Sequence, residues 1–438
     1  MVSAGSGTER EESATVDGSP TKEFFISMLV KDTDFWEAVL DLVDNCMDGA
    51  KRSRGETETL EGLVVNVLMD DRMIEVDDNC GGIPLEQARK HAFRFGREGP
   101  AAATNQPKHA LGMAGVGMKR AFFKLGQRAE VTSRTATETF VVVVDVEEWK
   151  KDPTWDFPIR ITHGEGHVAS ECGSTVRITA LWPDVIEAIH TDRLTKILGA
   201  VIPRRYEQFA TRGLAIRLNS IPLGVVETQL LASQHLRPAF RKTDVGAVKV
   251  RIYAGIASSS PKSAGWYVYC NGRMVLDADR SPTTGWDGER VPVFHNQFAR
   301  FRGYVFLDAD EPAVLPWNTT KTNVDEESKL YRAVRGLMVD EARNVVDFLN
   351  QLDAERDTES TVLQGIAEKA DFVALTQVNE GTFGFDAQVT EAPRVTNISY
   401  KRPTEQVVTA KEVLGVTSAR EVGERSFDYY YSAECEEG

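Results

Sequence analysis

The stretch FWEAVLDLVDNCMDGAKR, residues 35–52, predicts an amphipathic helix, because its polar and apolar residues fall on opposite faces when it is placed on a helix. At 100° per residue, the large apolar side chains share one broad face. The opposite face carries Glu37, Asp41, Asp44, Asn45 and Asp48. Like charges one turn apart cost about 0.2–0.5 kcal/mol per pair, and solvated faces usually mix both signs. The stripe therefore indicates either an ordinary solvated face or a cation nearby, such as a metal ion.

Composition sets the broad class of protein. The 438 residues are enough for two or three domains, and the hydrophobic content of 42% is typical of globular proteins. The net charge of −15 argues against a whole-surface grip on nucleic acid or anionic membrane, although it leaves room for a local basic groove. No apolar run approaches the ~18 residues of a membrane span.

Several common site types are absent from the sequence. The five cysteines are scattered without CxxC or zinc spacing, which predicts reduced thiols in a cytoplasmic protein. HExxH, GxSxG and the P-loop pattern do not occur. Residues 1–20 are small, polar and acidic, without a hydrophobic signal core, and are predicted to form a disordered tail.

Hydrophobic patterning predicts an α+β protein, in which the N-terminal tail is followed by two domains and a C-terminal segment. Residues 21–182 read as a first domain, with a hairpin after the acidic helix, a helix over 117–125 and strands in 129–135, 138–149 and 174–181. Residues 183–352 read as helices, four strand-like stretches and a long closing helix. The role of residues 353–438 stays open between packing on the second domain and mediating dimerisation.

Three glycine-containing segments carry candidate chemistry. In DDNCGGI, 77–83, the Asp78 carboxylate could accept a hydrogen bond from an exocyclic amine such as that of adenine; the alternative is an ordinary turn. In GMAGVGMKRA, 112–121, free amides at a helix N-terminus and Lys119 would suit phosphate, against the alternative of a simple loop. CGSTVRI, 172–178, places Gly-Ser at a strand entry and reads alone as a plain turn.

Taken in this order and spacing, the segments resemble the GHKL ATPase superfamily, which includes gyrase-type topoisomerases, the ninety-kilodalton heat-shock chaperones, MutL and the MORC proteins. The resemblance covers about residues 30–180. It implies a Bergerat-type α/β sandwich that binds ATP and Mg²⁺, followed by a smaller α/β transducer domain. The segment 93–114 would then be a lid over the nucleotide.

The resemblance also implies a role for individual residues. Asn45 stands at the magnesium-ligand position, and Asp41 stands where hydrolysing members have a Glu that activates water. Asp78 would read adenine, with Gly82 on the adenine face and Ser174 as a hydroxyl near the adenine-site water. The residues expected to hold the terminal phosphates are Gly115, Val116, Gly117, Met118 and Lys119. Lys321, in PWNTTKTNVD, matches the transducer lysine that reaches the γ-phosphate; its alternative reading is a surface lysine.

The leading hypothesis is therefore a slow ATPase that couples Mg-ATP binding to lid closure and homodimerisation. A non-hydrolysing ATP-sensing clamp or scaffold, with a DNA or defence role, is the alternative. A histidine-kinase type enzyme is disfavoured, because no His-bearing dimerisation helix precedes the fold. The basic segments RKHAFRFGR and IPRRYEQFATR are candidate contacts for nucleic acid, with solvated faces as the favoured reading. A protein partner is expected but not identified.

Overall fold

The structure is a computed structural model that describes residues 16, 18–55, 58–96, 109–112, 115–163, 167–355, 361–386, 398 and 400–435. Most of the predicted tail, the centre of the predicted lid and part of the C-terminal segment lie outside these described residues. The described residues form two compact units. The larger comprises those of 1–353 and 363–389, and the smaller those of 354–362 and 390–438.

The helices of the larger unit are α1 (Lys22–Val30), α2 (Phe35–Arg54), α3 (Leu85–Gln87), α4 (Gly117–Leu125), α5 (Val146–Lys151), α6 (Pro183–His190), α7 (Arg193–Arg205), α8 (Glu207–Ala210), α9 (Lys329–Glu355) and α10 (Val362–Glu368). Helix α3 continues as a π-helical turn, Ala88–Ala92. Short 3₁₀ turns occur at Ala169–Glu171, Pro282–Thr284, Asn296–Phe298, Pro312–Val314 and Leu375–Gln377.

The strands are β1 (Val64–Met69), β2 (Met73–Asp78), β3 (Gly126–Arg134), β4 (Glu138–Asp145), β5 (Ile159–His163), β6 (Gly173–Leu181), β7 (Ala215–Leu218), β8 (Ile221–Pro222), β9 (Gln229–Ala232), β10 (Leu236–Arg237), β11 (Ala239–Val245), β12 (Val248–Ile256), β13 (Gly265–Cys270), β14 (Arg273–Asp279), β15 (Phe301–Asp308), β16 (Asp371–Ala374) and β17 (Gly384–Phe385). The expectation of an α+β protein is confirmed.

The first sheet has eight strands in the order β5-β4-β3-β6-β2-β1-β7-β8, antiparallel except for the parallel pair β1 and β7. Helices α2 and α4 pack against each other and against strands of this sheet. Strands β7 and β8 extend the sheet, although the sequence analysis had placed residues 215–222 in the second domain. The intervening helices α6–α8 carry the chain to the parallel position beside β1, which a two-residue turn could not do.

Helix α2 forms as its pattern predicts. Glu37 accepts a hydrogen bond from the Asp34 amide at 2.8 Å, which stabilises the first turn. The centre of its apolar face is fully buried, with Val39, Val43 and Met47 at 0% exposure. Gly55, with φ of +72°, follows the last turn. Three acids of the opposite face are buried as well, so the alternative of a solvated face does not hold for them: Asp41, Asp44 and Asp48.

One strand is shorter than predicted. The sequence pattern extended a strand to residue 149, but β4 ends at Asp145 and Val146–Lys151 is helical. The Asp145 side chain accepts from the Glu148 amide at 3.1 Å. This N-cap stabilises the helical turn, and the apolar residues Val146 and Trp149 are then buried on the same helix face.

The second sheet has the order β11-β12-β15-β13-β14, with β13 and β15 parallel. Helix α9 buries Tyr331, Met338 and Glu341, and Glu341 pairs with Arg241 of β11 at 2.6 Å. Strands β16 and β17 pair with β9 and β10. Residues 363–386 of the C-terminal segment therefore pack on the larger unit.

The smaller unit contains α11 (Thr404–Leu414) and α12 (Ala419–Glu434). The Ser418 hydroxyl accepts from the Glu421 amide at 3.1 Å and begins α12. Tyr429, Tyr430 and Tyr431 on this helix are exposed. Over the described part of the chain, no helix is both long enough and apolar enough to cross a membrane.

Candidate functional site

A cavity of about 1220 Å³ opens beside α2 and the N-terminus of α4. Helix α3 with its π-helical turn forms another wall, and the loop around residue 321, which lies between β15 and α9, reaches the same space. The predicted site residues that line it are Asp41, Asn45, Gly115, Val116, Gly117, Met118, Lys119 and Lys321. Seven of them come from the first domain, and the eighth lies more than two hundred positions further along the chain.

Asn45 has the orientation that a cation ligand needs. Its side-chain nitrogen donates to the backbone carbonyl of Asp41, one turn earlier on α2, at 3.0 Å. This bond occupies the nitrogen side of the amide and leaves the side-chain oxygen for the cavity. A neutral oxygen is a suitable ligand for Mg²⁺, which keeps its other positions for water and phosphate. Asn45 therefore fits the implied ion.

Asp41 is held by one arginine. The Nε and Nη2 atoms of Arg120, on α4, lie 2.7 and 2.6 Å from Asp41 Oδ2. The other oxygen, Oδ1, faces Gly117, where an added Cβ would lie only 3.0 Å from it. Burial raises the pKa of Asp41, while Arg120 and Lys321 oppose that rise.

Asp44 is saturated by partners. Lys321 Nζ lies 2.5 Å from Oδ2, and Tyr206 donates its hydroxyl to Oδ1 at 2.8 Å. Arg273 Nε forms an ion pair with Oδ1 at 2.9 Å, without the alignment of a hydrogen bond. Burial would raise the pKa of Asp44, but Arg273 and Lys321 outweigh it and the pKa is lowered. The cations that neutralise this part of the acidic stripe are therefore protein side chains.

Asp48 holds the stem of the segment expected to form the lid. Its two carboxylate oxygens accept from the amides of Leu111 and Gly112 at 2.6 and 2.9 Å. Asn271, in the turn between β13 and β14, donates to the Ala110 carbonyl at 3.0 Å. One end of the predicted lid is thus fixed to both α2 and the second domain.

The N-terminus of α4 offers anion-binding groups to the cavity. Gly115 has φ of +63°, a conformation that glycine adopts without strain, and it leads the chain into the helix. The first amides of a helix have no intrahelical partner and favour negative charge. Lys119, 1% exposed, donates to the Ala92 carbonyl at 2.8 Å. Burial lowers the pKa of Lys119 to about 7.

Asp78, Gly82 and Ser174 lie together but do not line the cavity. Asp78 accepts from the Cys80 amide at 2.7 Å and from the Ser174 hydroxyl at 2.9 Å. A Cβ on Gly82 would lie 2.3 Å from the Arg134 carbonyl oxygen, so only glycine fits this turn. Burial raises the pKa of Asp78 against these hydrogen bonds. Asp78, Cys80, Gly82 and Ser174 are called the Asp78 cluster below.

Arg52 and Ile83 connect this cluster to the cavity, which both side chains line. Arg52 Nη2 donates to the Gly82 carbonyl at 3.0 Å. The structure therefore brings Asp41, Asn45, the α4 amides, Lys119 and Lys321 to one space. The Asp78 cluster does not line this space and is joined to it through Arg52 and Ile83.

The sequence analysis assigned no role to Arg120 or Arg273. Both are buried, at 3% and 1% exposure, and both pair with the acidic stripe. Each arginine precedes apolar residues of a helix or strand pattern, in MKRAFF and NGRMVL. An arginine at the start of such an apolar run was the signal in the sequence that could have indicated a buried partner for the acids of α2. Asp41, Asp44, Arg120, Arg273 and Lys321 are called the charged cluster below.

The basic segment IPRRYEQFATR contributes to packing. Arg205 donates to the carbonyls of Met274 and Val275 at 2.6 and 2.7 Å. Arg204 pairs with Asp277 at 2.7 Å. Two arginines of this candidate nucleic-acid contact therefore bind groups of the protein itself.

The fold places the N-terminus of α4, which favours negative charge, beside α2, which carries Asn45, at one cavity. Residues 33–175, about a third of the chain, match the family of histidine kinase-, DNA gyrase B- and HSP90-like ATPases. This part of the chain is therefore similar to GHKL-type ATPase domains, and ATP binding is a property of that family. No curated protein matches the chain.

Proposed function

We propose that the protein binds Mg-ATP in this cavity and hydrolyses it slowly, and that nucleotide binding closes the lid and drives homodimerisation. One observation carries the proposal. Asp41, Asn45, the amides of α4 and Lys321 meet in a single cavity, although they come from distant parts of the sequence. The family match supports ATP as the nucleotide.

The residues have distinct roles in this proposal. The α4 amides and Lys119 bind the terminal phosphates, and Asn45 gives its side-chain oxygen to Mg²⁺. A bound Mg²⁺ neutralises phosphate charge. Asp41 accepts the proton of the attacking water through Oδ1, the oxygen that Arg120 leaves uncontacted. Asp78 reads the base, with Gly82 and Ser174 supporting it.

Lys321 supplies the coupling between domains. Its ammonium pairs with Asp44 at 2.5 Å. A γ-phosphate competes with Asp44 for this cation, and ADP lacks that group. Triphosphate and diphosphate would therefore favour different positions of the Lys321 loop, which is the differential interaction that a switch requires.

The test measures particle mass by light scattering without nucleotide, with ADP and with a non-hydrolysable ATP analogue, together with phosphate release. We expect a dimer only with the triphosphate analogue, and slow Mg²⁺-dependent release of phosphate. Asp41→Asn should abolish release and keep binding, whereas Asn45→Ala should weaken binding itself. Calorimetry without a binding signal for Mg-ATP would end the proposal, and turnover retained in Asp41→Asn would end the assignment of the base.

A non-hydrolysing ATP-sensing clamp is the second candidate. It is favoured by the engagement of Asp41 with Arg120 and by the carboxylate being one methylene shorter than the family's Glu. Bound ATP recovered intact after hours, together with a nucleotide-dependent dimer, would support the clamp over the ATPase.

A further inference from the structure

We propose that Arg120 is a positioning residue: it holds the Asp41 carboxylate by one oxygen, directs the other at the phosphate site, and ties this alignment to the Lys321 loop. The inference rests on the proposed hydrolysis. It adds a residue to the site that neither the family match nor the sequence motifs assign.

The first support is the way Arg120 binds. Arg120 Nε donates to Asp41 Oδ2 at 2.7 Å and Nη2 lies 2.6 Å from the same oxygen, so the two nitrogens do not take one oxygen each. Asp41 Oδ1 accepts no hydrogen bond from any residue that the structure describes, and it faces the first residue of α4. An arginine that bound both carboxylate oxygens would leave neither of them to accept a proton. Arg120 leaves Oδ1 uncontacted, and Oδ1 is the oxygen that faces the first residue of α4.

The second support is the place of Arg120 on α4. The residue lies one turn after Gly117, whose amide belongs to the N-terminus that faces the cavity. A bond from Arg120 to α2 thus fixes the distance between the anion-binding amides and the carboxylate. Since aspartate is shorter than glutamate, close approach of the two helices is needed, and Gly117 allows it.

The third support is a contact with the second domain. Arg120 Nη2 also donates to the Thr319 carbonyl at 3.3 Å. Thr319 and Lys321 line the cavity from the same loop. A movement of this loop towards phosphate therefore changes a partner of the arginine that holds Asp41. Alignment of the carboxylate and docking of the loop become one event.

The experiment compares Arg120→Gln, Arg120→Lys and Arg128→Gln in the full chain. Arg128 is an exposed arginine on β3 and serves as the matched control. For Arg120→Gln we expect kcat to fall about 100-fold, the lower range for a misplaced general base. Affinity for the Mg-bound non-hydrolysable analogue should stay within about threefold. Arg120→Lys should recover part of kcat, and Arg128→Gln should match the wild type.

The split between kcat and analogue affinity, and the partial recovery of kcat in Arg120→Lys, separate positioning from a merely structural role. An equal loss of analogue binding and kcat in Arg120→Gln, or no recovery of kcat in Arg120→Lys, would overturn the inference. A wild type that binds without turnover instead refutes the proposed hydrolysis. A crystal structure of Arg120→Gln still tests the Arg120 contact in that case: the Asp41 carboxylate should turn away from Gly117, and an unchanged orientation would overturn the inference.

Discussion

The charged cluster and the Asp78 cluster meet the same problem, a buried carboxylate, in different ways. Asp44 of the charged cluster is neutralised by Lys321 and Arg273 from the second domain. Asp78 has a neutral hydroxyl and a backbone amide, both from the first sheet and its adjoining turn. The pKa of Asp44 is lowered, whereas burial raises that of Asp78. Asp44 therefore depends on Lys321 and Arg273, which come from the later part of the chain, whereas these two partners of Asp78 come from the first sheet and its turn.

This difference shows how the site is divided. The Asp78 cluster is complete once β2 and β6 pair, because Ser174 and Asp78 then lie side by side. The charged cluster is complete only when β14 and the Lys321 loop pack beside α2. Under the proposed function, a cation that leaves Asp44 for a nucleotide leaves a buried carboxylate behind, so phosphate and Asp44 compete for Lys321.

The largest effect is expected for Asp44→Ala. The substitution leaves Lys321 and Arg273 buried without their shared anion, a change that costs about 3–5 kcal/mol of unfolding free energy. Urea unfolding measures it. Ser174→Ala, the matched change in the Asp78 cluster, should cost only about 1.5–3 kcal/mol, since a single hydrogen bond to the carboxylate is lost. Equal losses in the two variants would contradict the division drawn here.

The Asp44 interaction also predicts a pH dependence. The pKa of Asp44 is lower in the folded chain than the ordinary value of 3.8. The stabilisation it provides is therefore present above that ordinary value and is lost as pH falls through the lowered pKa. Acid titration of the unfolding free energy, wild type against Asp44→Asn, measures this. The gap between the two should narrow towards low pH, and a gap that widens would show that the pair is not ionic.

Lys321→Met tests the coupling from the other partner. Loss of one charged hydrogen bond to phosphate, worth about 1.5–3 kcal/mol, should weaken binding of the Mg-bound triphosphate analogue roughly 10- to 100-fold. ADP affinity should change less than about threefold, because the γ-phosphate is absent. Calorimetry with both nucleotides measures this, with the exposed Lys329→Met as control. Equal weakening for ADP would place Lys321 away from the γ-phosphate.

How far the sequence could lead differs between the two clusters. Asp78, Gly82 and Ser174 lie in short motifs whose strands pair locally, so their proximity could be predicted from pattern and resemblance. The acidic face of α2 could not be read in the same way, because its partners Arg120 and Arg273 lie 79 and 229 positions away from Asp41 and Asp44. Like-charge spacing showed that a cation was needed. It did not show that arginines on α4 and β14 would supply it.

The edge of the first sheet gives a second example. The strand pattern of residues 215–222 was visible in the sequence, but its partner was not. Strand β7 pairs in parallel with β1, across the intervening helices α6–α8. Long-range parallel pairing leaves no local signal, since it depends on where the helices return the chain. The sequence therefore predicted that these residues form strands, but it did not predict which sheet the strands join.

Asp78→Asn tests whether the Asp78 cluster contacts the adenine base. An amide offers a donor where the adenine amine needs an acceptor, and affinity for the ATP analogue should fall about tenfold. Asp77→Asn is the matched control, since Asp77 is the neighbour on β2 and bonds Thr175 instead. Calorimetry on both variants measures the difference. If both lose affinity alike, or neither does, the base does not reach the Asp78 cluster from the cavity.

The smallest effect is expected from Lys119, where binding and stability respond to pH in opposite directions. Its pKa falls from 10.5 to about 7 on folding. Between these values the unfolded chain holds the extra proton, so unfolding free energy should rise with pH. Phosphate prefers the charged amine, so affinity for the triphosphate analogue should fall several-fold between about pH 6 and 8 as Lys119 deprotonates. Lys119→Arg keeps its charge and should flatten the affinity profile. A slope unchanged in Lys119→Arg would assign the titration to the nucleotide or to another group.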